Sequence, residues 1–262
     1  MTAVADSVRV PARQRGVAFW LHGFGSMLRW EMTRLRLLLP ITALVQTFTG
    51  AGLVLGIGLF FEDMAPRIAL YLASGAVVIS LVTVGLVMGP QLVAQQRQEG
   101  SYDFIVSMPV PRSASLAAWL VLNSVVALPG IVGAVLVAIW RYDAAFHVSI
   151  VIVPATLLTL VAGVMMGHAY AHSVPEPLMV GLISQVLIFV IFGFSPISYP
   201  VENLPDWLGT LHRYLPFMHM GNVMRDGLTD GLVSDVGFSY GVLSAWTLAA
   251  TLVAVVVAKR RG

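Results

Sequence analysis

Six stretches of this chain are apolar over about the 20 residues that a helix needs to cross a bilayer core. They lie near Leu37–Phe60, Ile68–Ala94, Ala114–Trp140, Ser149–Ala171, Leu178–Ile197 and Tyr240–Ala258. Such a series predicts an all-α integral membrane protein of six transmembrane helices. The charge content agrees: 11% of the 262 residues are charged, where a soluble domain carries about 25%. Cysteine is absent, which rules out disulfides and thiolate metal sites. No secretory signal peptide is read, because the first apolar run begins only near Leu37 and no small-residue cleavage site follows a short core. Pro129 and Pro154 fall inside spans and are expected to kink them, with neighbouring helices satisfying the freed backbone.

The chain reads as one transmembrane domain, 1–262: a basic tail expected to be mobile (1–16), an amphipathic helix (17–36) and the six-span part (37–258). In that helix Trp20, Leu21, Phe24, Met27, Leu28 and Leu35 share one face, and His22, Ser26, Arg29, Thr33 and Arg36 the other. Large aromatics against arginines suit a helix lying in the membrane interface. Glu31 falls on the apolar face and makes sense there only if it meets Arg34 or a partner. Lysine and arginine set the orientation. Arg9, Arg13, Arg15, Arg29, Arg34, Arg36, Arg97, Arg112, Lys259, Arg260 and Arg261 share the side of the termini, against Arg67, Arg141, Arg213 and Arg225 on the other. Both termini are therefore expected in the cytoplasm, with the chain in the cell (inner or plasma) membrane.

Two connecting segments carry more information. Ser195–Gly231, between spans five and six, holds four prolines (Pro196, Pro200, Pro205, Pro216), which no continuous helix accommodates. It also holds Trp207, Leu208, Leu211, Leu215, Phe217 and Met218, which a free aqueous loop would waste. It reads as broken helices lying at the membrane face or re-entering it, the lid or vestibule of a transport route. Irregular backbone at that depth is tolerated only where protein buries it or it lines a wet cavity. Gln95–Ser113, between spans two and three, starts polar and turns amphipathic. Tyr102, Ile105, Val106 and Met108 alternate with Ser101, Asp103 and Ser107, up to Pro109 and Pro111. Two readings stand: a short surface helix presented to a soluble partner, or a solvated connector.

Together these stretches resemble one family. QRQEGSYDFIVSMPVPRS is similar to the loop between spans two and three of type-2 ABC exporter permeases, and FGFSPISYPVENLPDWLGTLHRYLPF to their segment between spans five and six. The N-terminal helix and the six-span layout fit too, so the resemblance covers nearly the whole chain. It implies that the first loop is a coupling helix docked on a separate ABC ATP-binding subunit. It implies that the broken helices cap the exit, and that two permease copies, or this chain and a homologue, form the route. Carried over to single residues, it implies a coupling role for Glu99, Gly100, Ser101, Tyr102, Phe104, Ile105 and Pro109. It implies an outer gate at Pro200, Leu204, Pro205, Trp207 and Leu208. The chain departs from the family at Gln98 and Gln96, where acidic residues are common. The family places spans one, two and five at the pathway, which favours Gln46 and Gln185 as lining residues. Interhelical hydrogen bonding is the other reading of these and of Thr47, Thr49, Asn123, Ser124 and Ser184.

The motor must lie elsewhere. A P-loop needs a lysine after its glycines, and the only lysine is Lys259, at the edge of the last span. ATP and magnesium are thus expected on the partner subunit, with no cofactor in this chain; membrane lipid surrounds it and no nucleic-acid partner is expected. No Asp, Glu, Lys or Arg is expected inside a span, which counts against a proton relay. Gly50, Gly52, Gly56 and Gly58 allow close helix approach, either inside the subunit or at a dimer contact. His168 and His172 share a helix face in span four, and His212 and His219 lie in the outer segment. They are read as interfacial histidines, not as a metal site, which needs more convergent ligands. No Gly-x-Ser-x-Gly, HExxH or paired-carboxylate arrangement occurs. The reading is the permease subunit of an ATP-driven ABC exporter moving an amphiphilic drug, lipid or lipid-linked glycan outward. The alternative is a gradient-driven secondary carrier or a non-transporting membrane scaffold. A lipid-modifying membrane enzyme would lack a nucleophile with a nearby base.

Overall fold

The computed structural model describes residues 16–60 and 64–260, so the tail of the sequence reading lies outside the described residues apart from Gly16. The described residues form helices and no strands. Helix α1 (Val17–Leu35) leads into span one, α2 (Leu39–Gly58). Span two is composite: α3 (Pro66–Thr83), a π-helical turn (Val84–Met88) and α4 (Gly89–Gln98). The short α5 (Ser101–Ser107) precedes spans three and four, α6 (Arg112–Tyr142) and α7 (Ile152–Ser173). Span five is α8 (Pro177–Phe189), extended by a second π-helical turn (Val190–Phe194). A 3-10 turn (Val201–Asn203), α9 (Asp206–His212) and α10 (Pro216–Leu228) separate it from span six, α11 (Val236–Arg260). Six helical stretches are long and apolar enough to cross a membrane, and each overlaps a span expected from the sequence. The chain is a multi-pass membrane protein.

Span two is the axis of the bundle: 83% of its membrane-length window is buried, against 22% for span one and 17% for spans five and six. The cause is side-chain size. Lipid tails are as apolar as leucine, so helices associate by close packing, which small residues permit. Ala69, Ala73, Ser74, Gly75 and Ala76 are all buried on α3. Its neighbours are α6, α2, α7 and α10. On one side α6 packs against α2 and α1; on the other, α7 packs against α11 and α10.

The prolines act differently from expectation. Pro154 sits in the first turn of α7, where a missing N–H removes no helical bond, so it imposes no kink. Pro129 lies inside α6, which is assigned as one helix from Arg112 to Tyr142. The consequential proline is Pro90, near the start of α4. It cannot donate to the carbonyl four residues earlier, Leu86, and its ring crowds that oxygen. The π-helical turn Val84–Met88 spans that carbonyl, and the Tyr170 hydroxyl of α7 donates to it at 2.8 Å.

The glycines of span one divide by face. A β-carbon at Gly50 would collide with the backbone carbonyl of Gly130 on α6, and one at Gly58 with the Tyr142 hydroxyl. At Gly52 and Gly56 it would meet nothing within 4 Å. Gly50→Val is thus expected to cost about 1–3 kcal/mol or more through overpacking, and Gly52→Val to leave the monomer's stability nearly unchanged. Thermal unfolding of the two purified variants side by side checks this.

Candidate functional site

The connecting segments gather at opposite ends of the bundle. At one end, Gly100 takes a left-handed conformation (φ 73°) that suits a residue without a β-carbon, and turns the chain from α4 into α5. Before it, the Gln95 side-chain amide donates to Glu99 Oε1 at 2.7 Å. Arg34 of α1 stands 4.0 Å from the Glu99 carboxylate and 3.8 Å from that of Glu31. That explains Glu31 on the apolar face: it is buried and faces Arg34, which also reaches the loop. Burial raises the Glu31 carboxyl above its ordinary pKa, with Arg34 partly opposing the shift.

The residues expected to couple are brought onto this short helix and its lead-in, but they point different ways. Phe104 is exposed and its ring lies 5.8 Å from that of Trp30 on α1, which is also exposed. Tyr102 turns inward, 5.5 Å from the His172 ring of α7. Ser101 and Ile105 are half-buried, Pro109 is exposed, and the Ser101 hydroxyl donates to the Gln96 carbonyl at 3.4 Å. Trp20 donates its indole N–H to Ser113 at 3.0 Å, so α1 flanks the whole loop. The buried stripe of α1 is Gly23, Met27, Glu31 and Leu35, while Leu21, placed by the sequence on the apolar face, is exposed.

At the far end, Pro200 and Pro205 are exposed, Leu204 is half-buried, Leu208 is buried, and Trp207 is 68% exposed. Helix α9 thus lies on the outside with Trp207 and Leu211 uncovered. Helix α10 enters the bundle between α11, α7 and α3. His212 and His219 are not interfacial but buried. His212 lies by the Phe194 carbonyl that ends span five, and His219 bonds the Arg213 carbonyl at 3.0 Å and Ser239 at 3.0 Å. Burial lowers the pKa of both rings despite these carbonyl contacts. Among the described residues no cluster of three or more histidine and acidic side chains is placed to hold a metal.

The sequence missed the main feature of this end. Arg225, counted above as a loop charge, is fully buried. Its guanidinium lies 3.5 Å from the Tyr71 ring of α3 and donates to the Tyr71 carbonyl at 3.3 Å and to the Ile197 carbonyl. Burial draws its pKa down to about 10, so it stays charged at neutral pH. Two glycines make the room. A β-carbon at Gly75 would come 2.5 Å from the Ile197 carbonyl, and one at Gly221 would come 2.6 Å from the guanidinium. A signal was present: Arg225 follows Gly221 by four residues and precedes Leu228 by three, on the face that buries α10.

Residues 37–256 match the model of the ABC-2 family transporter proteins. The chain belongs to the ABC-2 transporter family. No curated protein matches the sequence. An ABC-2 membrane domain is a permease, a transport subunit, which agrees with the sequence reading. In this ABC-2 permease, Gln46 is fully buried, its amide 3.3 Å from Met88 Sδ, whereas Gln185 is exposed on α8. An apolar cavity of about 50 Å³ lies between the α1–α2 junction, the first π-helical turn and α6. A polar depression of about 470 Å³ lies at the far end between His147–Ser149 and Asp226–Gly231. A drug-sized ligand fills roughly 300–1,000 Å³ of mostly apolar pocket, which neither offers.

Two outcomes are expected. Arg225→Ala removes a donor from two carbonyls and leaves a cavity, and should cost about 2–5 kcal/mol; Arg225→Lys should fall between, and thermal unfolding reports both. A raised folded-state pKa at Glu31 means its contribution to stability is complete below the ordinary value and is lost as pH rises through the raised one. Glu31→Gln should therefore unfold no sooner than wild type at about pH 8 and show a weaker pH dependence between about pH 4 and pH 8.

Proposed function

We propose that this chain is the permease subunit of an ATP-driven ABC exporter. A separate subunit binds ATP and magnesium and docks on α5, and a second copy or a homologue completes the route. The observation that carries the reading is α5 itself. In a member of a transporter family, a short helix set off by left-handed Gly100 presents an exposed phenylalanine beside an exposed tryptophan of α1. Aromatic anchors of this kind dominate protein interfaces, and a solvated connector has no use for them.

Charge supports placing that end in the cytoplasm. Arg29, Arg34, Arg36, Arg97 and Arg112 lie there, while buried Arg225 drops out of the opposite count and leaves Arg67, Arg141 and Arg213. A route between copies is supported by the small cavity inside one chain and by the exposed face of α8 that carries Gln185. Apolar spans suit an amphiphilic drug, lipid or lipid-linked glycan, released outward past α9 and α10.

The test is capture of the ATP-binding subunit by the tagged permease. Phe104→Ala with Ile105→Ala should weaken capture by roughly thirtyfold, the loss of a hot-spot residue worth about 2 kcal/mol. Trp207→Ala at the opposite end should leave capture unchanged. Equal capture by all three proteins would remove the docking role from α5, and cargo movement in proteoliposomes without ATP would favour a gradient-driven carrier.

A further inference from the structure

Span five is weakly held by its own chain. Only 17% of its membrane-length window is buried, and its main intramolecular partner is α4, the helix that runs through Gly100 into α5. Three links tie α8 and the chain leading into it to span two. The first is polar. Arg97, one turn before α5, donates through Nη1 to the carbonyls of Ala171 (3.1 Å) and Val174 (2.8 Å) and through Nη2 to Pro175. These oxygens belong to the last turn of α7 and to the short connection into α8, which begins at Pro177. A helix end leaves its last carbonyls without backbone donors and carries partial negative charge, so a cation is favoured there twice over. Only the planar guanidinium fork serves several acceptors at fixed angles.

The second link is apolar. Val93 and Ala94 of α4, Ala171 of α7 and Val180 of α8 form a small buried cluster apart from the main core, with Tyr102 of α5, Tyr170 and Val174 packed on it. Helices α4, α5, α7 and α8 each contribute a side chain. The third link lies deeper. The Tyr170 hydroxyl that donates to Leu86 also stands 2.6 Å from the Ser184 hydroxyl of α8.

We propose that Arg97 is a positioning residue that makes span five follow the coupling helix, so that a push on α5 reaches α8 as a rigid displacement. This rests on the reading of α5 as the docking site of the ATP-binding subunit. A purely structural arginine would stabilise the fold without affecting how α8 responds to nucleotide.

The chain contains no cysteine, so two introduced ones are its only thiol labels. Val121→Cys on α6 and Leu182→Cys on α8 are both at exposed positions, and a spin-label distance between them reads α8 against the bundle in the complex with the ATP-binding subunit. In the otherwise wild-type complex, ATP is expected to shift that distance. With Arg97→Gln, the subunit should still bind and hydrolyse ATP within about twofold of normal, while the ATP-driven shift in population falls about fivefold or more, the lower end of usual coupling between sites. Arg97→Lys should recover part of the response. Tyr170→Phe breaks the deeper link and should also weaken it, which keeps the test available if Arg97→Gln does not insert. An unchanged ATP response in Arg97→Gln, or in Tyr170→Phe where the first variant is not obtained, overturns the inference and leaves the docking reading intact. A wild-type complex that neither binds the subunit nor responds to ATP overturns the docking reading and this inference with it.

Discussion

A carbonyl that has lost its backbone donor is the problem this bundle meets at every break in a helix. Inside a membrane protein there is little water to satisfy such an oxygen, and leaving it bare costs on the order of several kcal/mol. Here side chains supply the donors. Tyr170 serves Leu86, whose bond Pro90 removes. Arg97 serves the end of α7. Arg225 serves the turn at Ile197. At the end of span five, Ser195 bonds the Val190 carbonyl and Tyr199 that of Gly193. Where the donor comes from a distant segment, as with Tyr170, Arg97 and Arg225, the capped break also fastens one part of the bundle to another.

That pattern produces a bundle with a rigid axis and lightly held flanks. Span two is enclosed by α6, α2, α7 and α10 through small residues. Spans one, five and six show most of their surface to whatever surrounds the chain. A permease that changes shape needs both properties: an axis that keeps its packing, and spans whose contacts with it are few enough to shift. The fastening at Arg225 differs in kind from the others. Among the described residues no carboxylate pairs with this charge, and an aromatic face with two carbonyls takes that place.

The sequence located the spans well because hydropathy and length are local properties that the bilayer enforces on each helix separately. It also located α1, α5 and the broken outer segment, since prolines and amphipathic spacing are equally local. It misjudged individual side chains wherever the answer depended on a distant neighbour. Arg97 finds acceptors 74 to 78 residues further along. The His212 and His219 rings are buried, although their surroundings in the chain look interfacial. Pro154 proved harmless and Pro90 decisive, because what counts is each proline's place in its helix turn.

Length, apolarity and the absence of all but one lysine already settled that this chain crosses a membrane six times and carries no P-loop, because both follow from residue types alone. Which glycines touch another helix, where Glu31 finds its cation, and how Arg225 comes to lie against Tyr71 were settled by packing. A buried charge or a close backbone approach is a relation between segments far apart in the chain, and it exists only once the helices have been laid side by side.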